Sequence, residues 1–492
     1  MNVPRPTTRG VPDVPTGGLL SVLAASLVLA GCATNPATGE SQLMLISEQR
    51  EIEMGRQGAR QVESQIGVYR EGEIGTYVSE MGQAMAAETH RPDLPWSFEV
   101  ADDATVNAFA LPGGFIYVTR GILAYFNSGA ELAAVVGHEI GHVTARHSAE
   151  QMSRGQLATL GLGIGSVLSE EFARFQGLAG AGLQVLFLKY GRDDERQSDA
   201  LGVRYMLAED WDPREAMDVF RMLGRVSEAG GGGGLPTWLS THPDPGDRVE
   251  NIRTQLDTIA ESRLETTRTE REAFLQRLDG MAFGTDPRNG YFRDDLFVHP
   301  RHEVGVTFPG GWERQRLSGL AAAVSAGEDA IVRWAVVEEA SVSEAASSFA
   351  SQDGVTLLDR RRTSINGLPA EVLSFRARTQ DGVLRGRTAF AEAGGTTVEV
   401  SGYATESAYA GHEDTFERFI GSLETVSDPS LLEVEPMRID LVTPDAGRTI
   451  AELHAERGAP VDAEQLALLN GVEVDEPLEA GRTVKWVVGE KR

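Results

Sequence analysis

Residues 138–142 read His-Glu-Ile-Gly-His, and no other feature constrains the chain as tightly. Residues four apart on a helix share a face, so His138 and His142 can aim both imidazoles at one point, with Glu139 about 100° round the axis. Neutral imidazole nitrogens are zinc ligands, and a site with three protein ligands leaves a fourth position for water. Such a water has its pKa lowered to about 7, and Glu139 stands where it can accept the proton as that water attacks a peptide carbonyl. With nine His and 73 acidic residues among 492, the pattern arises by chance at a rate of only about 0.02. The flanking stretch 131–146 lacks proline, has glycine only at 137 and 141, and follows Asn127-Ser128-Gly129 as a cap region. A helix is expected there.

The third ligand has to come from elsewhere. Metzincins would place Gly at 145 and His at 148, where this chain has Ala145 and Ser148, so that class is excluded. Glu195 and Asp199 stand four apart within 192–200. On one helix face, Glu195 is a candidate ligand and Asp199 a candidate acceptor for the outer N–H of a ligand histidine, which would fix its tautomer. A solvated charged helix is the plain alternative. His147 lies five residues past His142, projects away from both ligands on a continuing helix, and reads as structural.

A length of 492 residues suggests about three domains, and the net charge of −28 would repel a phosphate backbone, so no nucleic acid is expected as a partner. The one cysteine, Cys32, rules out an intramolecular disulfide and a Cys-rich zinc site. It follows a 12-residue apolar run, Leu19 to Ala30, too short to span a membrane and of signal-peptide length. Only three lysines occur, Lys189, Lys485 and Lys491.

Apolar positions recur at helical spacing from 46 to 87, and short strands are expected at 96–100 and 114–118 with a Pro-Gly-Gly turn before the second. Residues 157–190 read as two close-packed helices, with a membrane-touching hairpin as the alternative, and 193–208 and 213–226 as further helices. From 299 to 427 two-residue alternation marks strands at 304–308, 330–337, 370–378, 384–392 and 396–403. The divisions that follow are 1–31 signal peptide, 32–262 first domain, 263–298 helical linker, 299–428 an α+β domain without a catalytic constellation, and 433–490 a compact tail.

Three separated stretches, the helix from His138 to His147, Arg192-x-x-Glu195-x-x-x-Asp199, and Asn107-Ala108-Phe109-Ala110-Leu111-Pro112-Gly113-Gly114, resemble the HtpX/CAAX-prenyl-protease superfamily of zinc metallopeptidases in its soluble periplasmic BepA/LoiP-like lipoprotein branch. The likeness runs from about Asn35 to Ile252. It implies an α+β chain whose peptidase domain is a mainly helical zincin of the gluzincin type with a small sheet. It also implies one Zn2+ per chain on His138, His142 and Glu195, with polypeptide substrates cleaved using Glu139. Thr241-His242-Pro243 with Arg248 matches a family element near the metal, so His242 would either cap the zinc as a resting ligand or stabilise the oxyanion. Asn107, Ala108, Phe109 and Ala110 would offer a strand edge to an extended substrate, or else form a plain core strand. Leu29-Ala30-Gly31-Cys32 resembles a bacterial lipoprotein signal. It implies a lipid on Cys32 and, with Ala33 after it, a periplasmic protein anchored to the inner face of the outer membrane. The tail resembles a LysM module of βααβ order, which implies peptidoglycan as a partner, with a non-binding module as the alternative. A zinc-stabilised chaperone or assembly factor that seldom cleaves is the second functional reading.

Overall fold

The computed structural model describes residues 32–159, 189–229, 237–242, 245–317, 319–337, 341–379 and 382–490. The apolar run before Cys32, nearly all of the helix pair expected over 157–190 and the glycine run after 229 lie outside them. Among the described residues no helix is long and apolar enough to cross a membrane. The chain is mixed α+β, with a largely helical first part and several sheets.

Cys32–Thr34 pairs with Ser41–Leu43 as a short ribbon. The amphipathic stretch from 46 to 87 forms two helices rather than one, Glu48–Gln65 and Ile74–Ala87. The break falls at Gly67 and Gly72, which take φ 86° and 69°, values that end a right-handed helix. Ser47 caps the first helix by accepting the Arg50 N–H.

The expected strands form a three-stranded sheet in which Phe115–Thr119 is central, parallel to Ser97–Ala101 and antiparallel to the edge strand Ala108–Leu111. At Gly113, φ is 80° and a Cβ would sit 2.7 Å from the Ile52 Cα, so only glycine fits. The helix Gly129–Thr144 starts at Ser128, whose side chain accepts the Glu131 N–H, and every residue in it is buried. It packs on Ile74–Ala87, Arg192–Ala208 and Glu215–Ala229.

The stretch 263–298, read as a helical linker, holds one main helix, Arg271–Leu278, and then turns to strands. Tyr291–Arg293 and Leu296–His299 form a hairpin about Asp294, at φ 52°, and join Val304–Thr307 and Glu424–Thr425 in a four-stranded sheet. The correction has a simple cause: Phe297 and Val298 both need burial, on opposite faces of a strand that is covered on each side.

A second sheet has seven antiparallel strands in the order Glu313–Leu317, Leu320–Val324, Ala330–Val337, Thr396–Thr405, Gly382–Ala393, Leu368–Thr379 and Val355–Ile365. Helices Val342–Ala350 and Tyr409–Gly421 cover its opposite faces, since Leu373 packs with the first and its neighbour Val372 belongs to the cluster of the second.

The tail runs as strand Met437–Val442, helices Ile450–Arg457 and Ala463–Leu469, and strand Val484–Val488, the strands paired antiparallel. It is not set apart from the rest. Ile439, Leu466, Leu469 and Trp486 share one buried cluster with Phe126, Leu132, Phe274 and Leu278, and Met437–Val442 also pairs with Ala282–Phe283. Lys485 is wholly buried, its Nζ donating to the carbonyls of Ala124 (2.7 Å) and Phe126 (2.6 Å).

Candidate metal centre

Two crossing helices build the centre, and their closeness depends on glycine. Gly137 and Gly141 of the His-Glu-Ile-Gly-His helix face Gly202 and Ser198 of Arg192–Ala208. A Cβ at 141 would lie 2.9 Å from the Ser198 Cα and carbonyl oxygen, and one at 137 would lie 3.2 Å from the Gly202 Cα. Those neighbours are backbone and cannot swing aside. Gly141→Ala should therefore push the second helix away at a cost of about 1–3 kcal/mol, seen as a lower Tm and weaker metal retention than in the wild type.

That close crossing delivers Glu195 to the two histidines. His138 Nε2 and His142 Nε2 face each other at 3.0 Å, and each lies 3.5 Å from a Glu195 carboxylate oxygen. His242, from beyond the helix Thr237–Thr241, brings Nδ1 to 3.2 Å from His138 Nε2 and 3.0 Å from Glu195 Oε1. One ligand atom from each of His138, His142, Glu195 and His242 falls within 4.8 Å of the others, and all four residues are buried.

Around them, Asp199 Oδ1 accepts from His138 Nδ1 at 2.9 Å. Arg248 donates Nε to Asp199 Oδ2 at 2.8 Å and sets Nη1 at 2.9 Å from Glu195 Oε2, at an angle that is not a hydrogen bond. Glu139 Oε1 receives Trp238 Nε1 at 3.3 Å and lies 3.6 Å from His242 Nε2.

Burial holds the His142 imidazole well below its usual range, aided by the neighbouring His138, His147, His242 and Arg248. At His242 burial also acts downward, but Glu195 and Glu139 outweigh it and raise the ring. Burial would raise Glu195, yet His242 and Arg248 hold it below the ordinary carboxylate range. Asp199 follows the same pattern, with Arg248 and His138 opposing burial.

The donor set fits a divalent cation. Among the described residues, the buried carboxylates Glu139, Glu195 and Asp199 gather around the Arg248 guanidinium and the His242 ring, and a divalent cation would offset the negative charge that is costly to hold in a dry place without a counter-ion. Glu195 Oε2 is also a buried oxygen that accepts no hydrogen bond.

His147 departs from the expected projection. The helix ends at Thr144, Arg146 takes φ 64°, and a new helix starts at His147. The reversal returns the ring to the site, with Nδ1 3.0 Å from His142 Nδ1. Burial lowers its pKa, against the pull of Asp194 and Gln197. Trp238, Gln197 and Tyr190, whose ring centre is 3.9 Å from that of His142, were also not singled out by sequence. None belongs to a motif whose spacing marks a ligand. Asn107 is buried with Oδ1 unpaired, and Ala108, Phe109 and Ala110 form the edge strand. The Trp238 N–H reaches the Val106 carbonyl just before it, at 3.3 Å. Cys32 begins the first strand.

Residues 75–256 match the sequence model of Peptidase family M48. Mitochondrial metalloendopeptidase OMA1 of Arabidopsis thaliana is 33% identical over 198 residues, covering 39% of this chain and 39% of that protein. Beta-barrel assembly-enhancing protease of Yersinia pestis is 27% identical over 259 residues, 49% of this chain and 53% of that protein. Its counterpart from Escherichia coli (strain K12) is 26% identical over 235 residues, 46% and 48%. The chain thus spans between about two fifths and one half of the length of these relatives. The matched stretch contains His138, Glu139, His142, Glu195 and His242, and on that agreement of sequence and geometry the chain carries a domain that belongs to peptidase family M48.

Proposed function

We propose that the chain is a zinc metalloendopeptidase of the bacterial cell envelope that cleaves misfolded or misassembled envelope proteins. The observation that carries this reading is the convergence of His138, His142 and Glu195 on one buried point with Glu139 beside it. These three residues hold the ion. When bound, Zn2+ supplies Lewis acidity to a water and to the substrate carbonyl. Glu139 takes the proton of the attacking water and returns it to the leaving amine. Asp199 keeps the His138 Nδ1 protonated, leaving Nε2 as a ligand, and Arg248 holds Asp199 in place. Asn107 to Ala110 present backbone to an extended substrate, a mode that reads conformation more than sequence.

Within this reading His242 acts as a resting cap, because its Nδ1 stands among the ligand atoms. The same observation favours a second reading, a zinc-stabilised assembly factor that binds envelope proteins and seldom cleaves. The substrate class rests on likeness to the relatives. A lipid on Cys32 would place the enzyme on the inner face of the outer membrane. Residues 433–490, in the strand order of a LysM module, would meet peptidoglycan with the face turned away from the peptidase.

The purified protein should hold one zinc per chain and degrade unfolded casein. A chelator should stop cleavage and added Zn2+ restore it. Proteolysis indifferent to the chelator, or a protein that takes up no metal, would sink the proposal.

A further inference from the structure

We propose that His147 is a positioning residue, the inner link of a hydrogen-bonded line Asn35–Gln197–His147–His142 that dictates which nitrogen of His142 is free for metal. The inference rests on the metal centre proposed above. Its starting point is backbone, where donors are not in doubt. Asn35 Oδ1 accepts the N–H groups of Ala37 (2.9 Å) and Thr38 (3.3 Å), so the other end of that amide, Nδ2, must be the one facing Gln197.

Each later role follows from the one before. Asn35 Nδ2 lies 3.1 Å from Gln197 Oε1, which fixes that oxygen as an acceptor. His147 Nε2 lies 2.9 Å from the same oxygen, so it carries a proton and donates it. In a neutral imidazole the other nitrogen is then an acceptor. That atom, His147 Nδ1, is 3.0 Å from His142 Nδ1, and Ser198 Oγ approaches it at 3.3 Å as a second donor. His142 Nδ1 must therefore hold its proton, and the lone pair of its ring falls on Nε2, the atom that faces His138 Nε2 at 3.0 Å.

The two ligand histidines are thus fixed by different means. His138 has a carboxylate, Asp199, behind it. A carboxylate makes a ligand imidazole more basic as well as orienting it. His142 has only a neutral acceptor, so the line orients the ring and adds no further negative charge to a site already rich in carboxylates. Asn35 is buried and sits just past the first strand, so the segment opening at Cys32 is part of the machinery of the centre, although it lies outside the family-matched residues 75–256.

The test is metal affinity by chelator competition, read together with the visible spectrum of the Co2+-loaded protein. His147→Leu removes the acceptor and should weaken metal binding by about 10–100-fold and shift the cobalt bands. His147→Asn sets Oδ1 near the place of Nδ1 and should restore most of the affinity and the spectrum. Gln197→Leu, at a half-buried position that is safer for folding, should weaken binding in the same direction by a smaller factor. Unchanged affinity and cobalt spectrum in Gln197→Leu and in folded His147→Leu would overturn the inference. An asparagine variant no better than the leucine one would overturn it too. His142→Ala is the control that separates the two claims: if it keeps its metal the centre itself is wrong, and if it loses metal while His147→Leu does not, only the line is wrong.

Discussion

Glu139→Gln should lower the rate of casein cleavage by about 10²–10⁴-fold, the usual contribution of a general base, with zinc content and Tm close to those of the wild type. Glutamine keeps the shape of the side chain and can still receive the Trp238 Nε1 hydrogen bond, but its amide cannot take a proton at neutral pH. The loss should fall in kcat rather than KM, since the interaction is made in the transition state. The assay needs both proteins at equal metal loading. If the two degrade casein at the same rate, Glu139 is not the base and the peptidase reading falls with it.

The second large effect concerns stability and lies far from the metal. Trp486→Ala should cost about 3–5 kcal/mol, which in a domain of 150–250 residues lowers Tm by about 6–20 °C. Trp486 is almost fully buried, donates Nε1 to the Gly458 carbonyl and belongs to the cluster that holds Phe126 and Leu132 of the peptidase. The peptidase transition itself should therefore move in a calorimetric scan, and zinc should dissociate at the lower temperature. An independently hung tail would show a separate transition instead, leaving that of the peptidase where it was.

Much of the centre was legible because a helix is a regular object. Four-residue spacing on a helix pointed to His138 and His142, and the same spacing together with the resemblance to the zinc metallopeptidase superfamily pointed to Glu195 and Asp199. Regularity also set the limit. His147 was misread because projection round an axis holds only while the axis continues, and Arg146 at φ 64° ends it. Gln197 stood in plain view between Glu195 and Asp199, but its value depends on Asn35, more than 160 residues earlier, and no local pattern encodes such a meeting. The strands of the middle domain with clear alternation were legible. Val355–Ile365, an edge strand exposed along almost all its length, has no buried face to write a period of two into its sequence. The placement of the tail was hidden for a related reason: alternation says that one face of Val484–Val488 is apolar, not which neighbour covers it.

The buried Lys485 has a further consequence for how the molecule holds together. Its Nζ lodges between the carbonyls of Ala124 and Phe126, just ahead of the histidine-bearing helix and some 360 positions earlier in the chain. Tying together positions so far apart carries an entropic cost of loop closure, and in return the histidine-bearing helix and the strand Val484–Val488 are parts of one buried cluster. A chain lacking the strand Val484–Val488 therefore leaves the Ala124 and Phe126 carbonyls without this partner and the core beside the histidine-bearing helix unfilled.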